Sequence, residues 1–295
     1  MGKSIRIHLL HCGYMQVSES VVLGDGRSLK NAARQLMTKT EQRVTLPVCA
    51  FLIEHPDALI LVDTGWCRDI SPKGVYDPAA VKKVLPAHLA AVYQPYVPEG
   101  MAIHEQLAAR GIRPEDLDIV LLTHLDPDHV AGIRHVKNAK RILVAEDEYF
   151  WNCRFVYQAR QPKKLFEGIP MERFWYRGSD MGTNRWSYDL LEDNTIHCVN
   201  IPGHTDGLFS VIVQNGELLE HKRKFALLTS DAAYVPKNWE EDIVPGLGFD
   251  VTLQRKGIRW IKEQAAMDSC VGVFTSHDPE VQPQTIEIPL PDREP

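Results

Sequence analysis

Apolar residues in this chain gather in short, nearly uninterrupted runs separated by polar, Gly- and Pro-marked stretches, and only two long segments carry a helical stripe. The runs Ile5 to Leu10, Val48 to Glu54, Ala58 to Val62, Ile119 to Leu122, Arg141 to Ala145, Thr195 to Asn200, Leu208 to Gln214, Phe225 to Thr229 and Cys270 to Thr275 predict strands. His55-Pro56-Asp57 predicts a hairpin turn between the second and third. Helical signals cover Met101 to Arg110, stopped by Gly111, and Val251 to Met267, with Asp250 placed as N-cap. Shorter helices are expected near Pro78 to Leu85 and Glu146 to Trp151. Strands that cluster between helices fit a four-layered αββα sandwich and not a regular βαβ alternation. A single domain over residues 1–295 is expected. Gly13 to Val44 and Asp69 to Glu99 are long, polar and punctuated, and read as loops: a substrate lid, a dimer contact, or surface decoration.

Composition narrows the class. Apolar residues at 44% and charged residues at 24% describe an ordinary soluble globular chain. A net charge of −6 lacks the basic footprint of a nucleic-acid partner. No signal-peptide pattern and no run near the ~20 apolar residues of a membrane span is present, so the expectation is cytoplasmic with no membrane contact. The six cysteines have no C-x-x-C spacing and read as reduced thiols, several in apolar runs.

Chemistry concentrates in Thr123-His124-Leu125-Asp126-Pro127-Asp128-His129, directly after an apolar strand. Alternate side chains of an extended chain share a face, so His124 and Asp126 are placed to converge on one cation. Asp128 and His129, at the following turn, are placed to reach a second, and carboxylates with imidazoles suit a divalent transition metal. Three further segments each end an apolar run with a candidate ligand: His204 in Pro202-Gly203-His204, Asp231 in Ser230-Asp231, and His277 in Ser276-His277.

With these motifs the chain resembles the metallo-β-lactamase superfamily, and within it the N-acyl-homoserine lactone lactonases. The resemblance spans nearly the whole chain and includes Leu46 to Ile53, Asp63-Thr64-Gly65, Asp231-Ala232-Ala233-Tyr234 and Val244 to Asp250. It implies the same αββα sandwich, with the metal site where loops of both sheets meet. It implies one ion on His124, Asp126 and His204, a second on Asp128, His129 and His277, and Asp231 bridging. Two such ions lower the pKa of a shared water toward ~7 and supply hydroxide to attack an acyl carbon. Asp128 and Tyr234 are the catalytic candidates, Tyr234 as the hydrogen-bond donor to the carbonyl oxygen, and Asp63 is expected to orient the His124 loop. One departure stands out: the family pattern is H-x-H-x-D-H, and Asp126 occupies the place of the second His. Zinc is the expected metal at both positions, while the extra carboxylate makes the site less electrophilic and opens it to iron or manganese.

The expected activity is lactone opening on a small molecule, N-acyl-homoserine lactone foremost (quorum quenching). Open alternatives are another ester, thioester or phosphodiester hydrolase on the same scaffold, a di-iron oxidoreductase, and a non-catalytic sensor. A homodimer stays open.

Overall fold

The computed structural model describes residues 3–24, 43–217 and 222–291; residues 25–42, within the punctuated stretch after Gly13, lie outside it. Two sheets face each other. The first joins β1 (Ser4–Ser18), β2 (Arg43–His55), β3 (Ala58–Val62), β4 (Gln94–Tyr96), β5 (Ile119–Leu122), β6 (Arg141–Ala145), β7 (Glu172–Phe174) and β14 (Gln284–Pro289) in the order β14-β1-β2-β3-β5-β6-β7, with β4 pairing on β1. The second runs β13-β12-β11-β10-β9-β8, from β13 (Cys270–Thr275), β12 (Phe225–Ser230), β11 (Phe209–Gln214), β10 (Ile196–Asn200), β9 (Trp186–Asp189) and β8 (Arg177–Gly178).

The layers follow from where the apolar side chains go. Ile5, Phe51, Ile60, Leu121, Cys198, Phe209 and Leu228 fill the space between the sheets. The opposite face of the first sheet, through Leu10, Leu52, Val120 and Val144, packs under Val81, Leu89, Ile103 and Leu107. These last come from α2 (Pro78–Val84), α3 (Ala87–Val92) and α4 (Ile103–Ala109), which follow α1 (Glu19–Val22). The outer face of the second sheet buries Ile212, Phe225 and Leu227 against Ile258, Trp260 and Ile261 of α9 (Val251–Ala265), the helix that follows α8 (Lys237–Glu240). Buried Gln254, Gly257, Ile258 and Ile261 recur at helical spacing along α9, and Asp250 caps it by accepting from the Leu253 N–H at 2.9 Å. Helix, sheet, sheet, helix is the expected αββα sandwich. Strands buried on both faces, such as β5 and β10 to β12, explain why their sequences are apolar without alternation.

The structure corrects the two loop readings where it describes them. Gly13 to Ser18 continues β1, and the 69–99 stretch contains α2, α3 and β4. Of these, α2 is the short helix expected near Pro78 to Leu85; α3 and β4 are short and half-buried, with Pro86 and Pro95 inside or beside them, so neither a long period nor a long apolar run announced them. Phe174 belongs to the inter-sheet core, stacked 4.6 Å from Tyr188, while Trp175 is exposed. All six cysteines are free thiols. Among the described residues no helix is long and apolar enough to cross a membrane.

Candidate metal centre

Every predicted donor sits just past the C-terminal end of a strand, at the edge where the two sheets meet. His124 follows β5 of the first sheet. Asp126 opens α5 (Pro127–Val130) as its N-cap with Pro127 at the first position, so the chain turns sharply and α5 presents Asp128 and His129. His204, Asp231 and His277 follow β10, β12 and β13 of the second sheet. His204 is placed by a close crossing: Gly203 has φ +139°, and a Cβ there would meet the Gln254 backbone nitrogen of α9 at 2.4 Å. Asp63 and Ser230, both at positive φ without being glycine, hold the strand ends in costly conformations. The Ser230 hydroxyl lies 2.7 Å from that of Thr123 and ties the sheets together at the site.

The structure brings all seven predicted donors together, each almost fully buried. His124, His204 and Asp231 have donor atoms within 4.8 Å of one another, as do Asp128, His129 and His277. Asp231 faces both groups: Oδ2 is 3.3 Å from His204 Nε2 and 3.9 Å from His124 Nε2, and Oδ1 is 3.0 Å from His129 Nε2 and 3.1 Å from His277 Nε2. Asp128 Oδ2 is 3.5 Å from His277 Nε2.

The ring tautomers show what this cluster requires. His277 Nδ1 lies 2.9 Å from the Pro47 carbonyl and His204 Nδ1 lies 3.0 Å from that of Leu247. A carbonyl only accepts, so each Nδ1 carries the proton and donates. His129 Nδ1 donates to Asp63 Oδ2 at 2.8 Å. In the neutral rings Nε2 therefore presents a lone pair, aimed at the lone pairs of Asp231. Such an arrangement is repulsive without positive charge between the atoms. His124 Nε2, His129 Nε2, His277 Nε2 and Asp231 Oδ1 are buried and lack a hydrogen-bond partner, which is costly unless something else binds them. Burial opposes charging His129, yet the carboxylates of Asp231, Asp63 and Asp128 outweigh it and hold its pKa well above the ordinary range. The donor set thus calls for cations at its centre, and imidazoles with carboxylates fit divalent metal ions.

Asp63 touches more than expected. Its Oδ1 accepts from the Thr123 N–H at 2.9 Å, and its Oδ2 accepts from the Thr123 hydroxyl at 2.8 Å as well as from His129. It therefore orients both the His124 loop and the His129 ring. Tyr234 is buried beside the cluster, its ring 4.9 Å from that of His277 and 6.0 Å from that of His204. Burial, then the nearby Asp231 carboxylate, raises the phenol pKa well above its usual value, so it remains a proton donor.

Asp126 meets partners that sequence reading missed. Its Oδ2 is 3.2 Å from His204 Nε2 and 3.6 Å from His124 Nε2, but it also accepts from Arg160 Nε at 2.8 Å and Nη2 at 2.5 Å. Its Oδ1 accepts from the Gln161 amide at 3.2 Å. The same amide donates to buried Glu148 at 2.6 Å, and Glu148 receives the Leu125 N–H at 3.0 Å. Burial alone would raise the Asp126 pKa; the Arg160 guanidinium overrides it and holds the carboxyl well below the usual range. Burial and then Arg160 push His204 down to about 4. The expected surplus negative charge at position 126 is thus offset by a buried cation on α7 (Phe155–Arg160). The carboxylate in the second-His position was itself the signal for such a partner, but no spacing in the chain pointed to Arg160.

Comparisons with known proteins find relatives of the same fold. The chain is 28% identical over 253 residues to the N-acyl homoserine lactonase AttM of Azorhizobium caulinodans, covering 83% of this chain and 86% of that one. It is 28% identical over 237 residues to an N-acyl homoserine lactonase of Bacillus sp, with 80% and 82% covered. A solved N-acyl homoserine lactone hydrolase, with N-hexanoyl-L-homoserine at its catalytic metal centre, superposes with a TM-score of 0.70 at 22% identity and covers 95% of each chain. The dizinc quorum-quenching lactonase AidC gives 0.59 at 17% identity, over 99% and 98%. The model of the metallo-beta-lactamase superfamily matches residues 44–251 of the 295, the span that carries six of the seven clustered donors and strands β3 to β12, and this chain belongs to that superfamily.

Proposed function

We propose that this metal-dependent hydrolase opens a lactone ring, with N-acyl-homoserine lactones as its foremost substrates. The observation that carries the reading is the pair of donor groups on either side of Asp231 with the Tyr234 phenol beside them. His124 and His204, bordered by Asp126, are assigned to one ion, Asp128, His129 and His277 to the other, with Asp231 shared. When bound, divalent ions supply Lewis acidity to an acyl oxygen and lower the pKa of water. The residues do the rest. The Nδ1 contacts to Asp63, Pro47 and Leu247 lock three imidazoles with Nε2 facing inward. Asp128, buried and with its pKa raised by that burial, is placed to take the proton of the attacking water and return it to the ring oxygen as the C–O bond breaks. Tyr234 keeps its proton and donates a hydrogen bond to the oxygen on which charge develops. A lactone needs no separate leaving group to depart, since the alkoxide remains tethered to the acyl product. The curated relatives act on this substrate class by name, which favours it over thioesters and phosphodiesters.

The test is turnover of N-hexanoyl-L-homoserine lactone by protein loaded separately with zinc, manganese and iron(II), beside a thioester and an activated phosphodiester. Lactone kcat/KM should exceed the others by about 10²-fold. Cleavage of the thioester or phosphodiester with no lactone opening under any metal would sink the assignment.

A further inference from the structure

The two donor groups are not equally free. Around the second, His129 Nε2, His277 Nε2 and Asp231 Oδ1 are buried and have no hydrogen-bond partner. Around the first, only His124 Nε2 is in that state among the described residues. Arg160 accounts for the difference. Its Nη2 lies 2.5 Å from Asp126 Oδ2 and also contacts His204 Nε2. Because His204 Nδ1 donates to the Leu247 carbonyl, its Nε2 is an acceptor, and Arg160 donates into the lone pair that a metal ion would use. Arg160 Nη1 is further anchored on the His204 carbonyl at 3.3 Å, and its guanidinium lies 5.3 Å from the centre of the Phe249 ring. The side chain is only 15% exposed, so this is a built position and not a surface arginine swinging past.

Charge accounts for the pairing. A carboxylate at position 126 adds one negative charge where the family pattern has a neutral imidazole, and Arg160 adds one positive charge in contact with it. The pair restores neutrality, but the cation that does so sits on two donors of the first group.

We propose that Arg160 is a resident cation of the first donor group, so that the two groups load unequally. One divalent ion is held firmly by Asp128, His129, His277 and Asp231. A second enters beside His124 and His204 only by displacing Arg160 from Asp126 and His204. The inference rests on reading these clusters as metal sites and does not depend on the substrate.

Calorimetric zinc titration of the metal-stripped protein, with elemental analysis after dialysis, tests it. Wild type should show one tight ion per chain and a second bound at least about tenfold more weakly. Arg160→Met, which frees Asp126 and His204 Nε2, should tighten the weaker ion at least about tenfold and raise retained zinc toward two per chain. A measurement on the unaltered protein covers the case in which that variant fails to fold. The side-chain Nε–H resonance of Arg160 should persist through the first equivalent of zinc and shift only with the second. Two ions of equal affinity in wild type, an unchanged weaker constant in Arg160→Met, or an Arg160 resonance that moves with the first equivalent would each overturn the proposal. A protein that takes up no zinc overturns the metal reading itself.

Discussion

Asp126→His would restore the pattern expected of the superfamily, and the structure predicts that it destabilises this protein. The carboxylate is buried and accepts from Arg160 Nε at 2.8 Å, from Nη2 at 2.5 Å and from Gln161 at 3.2 Å. After the substitution, the guanidinium keeps the His204 carbonyl at 3.3 Å but loses its counter-charge inside the protein. Removing one partner of a buried ion pair costs about 3–5 kcal/mol, because the remaining charge stays desolvated. The 15% exposure of Arg160 and a hydrogen bond to the new imidazole reduce this, so a loss of about 3 kcal/mol is expected. The assay is urea unfolding with excess chelator, which removes metal binding from the comparison, applied to wild type, Asp126→His, Arg160→Met and the double variant. The double variant should recover about 2 kcal/mol relative to the sum of the single losses, since contacting residues couple by roughly 0.5–3 kcal/mol. Single-variant losses that add to within about 0.5 kcal/mol would refute the pairing. Tighter zinc binding is accordingly expected of the double variant and not of Asp126→His alone.

Three further outcomes are expected. Tyr234→Phe should retain full metal content and lower kcat by up to about 10²-fold with little change in KM, measured by steady-state kinetics and elemental analysis; unchanged kcat would leave Tyr234 a packing residue. Asp63→Ala removes three hydrogen bonds, to Thr123 N–H, Thr123 hydroxyl and His129 Nδ1, and should weaken metal binding about 10–100-fold by calorimetric titration while the far-ultraviolet spectrum is retained. His204, pushed down to about 4 from an unfolded value near 6.5, contributes stability present above pH ~6.5 and lost as pH falls toward 4, because the unfolded chain takes up the proton first. His129 is shifted the opposite way, so the test is the difference between wild type and His204→Gln in chelator, which should shrink by about 3 kcal/mol from pH 7 to pH 4.

Much of the fold was legible because its signals are local. A strand covered on both faces must be apolar throughout, and β3, β5 and β6 were bounded to the residue, as was the half-buried edge strand β13 from its apolar run. The helix from Val251 showed its stripe and its Asp250 cap. The donors were legible for the same reason: each follows a strand directly, so the end of an apolar run marks where a side chain reaches the sheet edge. The short, half-buried α3 and β4 carry no such period; α3 is held by packing against the first sheet and β4 by pairing with β1.

The sequence by itself determined which side chains bear the chemistry and that Asp126 departs from the pattern. Only the tertiary structure decided what that departure means. Arg160 lies thirty-four residues beyond Asp126, on a different helix, and enters the site because the segment from α6 (Glu146–Asn152) to α7 folds over the β5 loop through Glu148 and Gln161. Charge compensation between buried groups acts through space at contact distance, where the local dielectric is low. A linear sequence records that a charge is present but not which distant residue is brought to meet it.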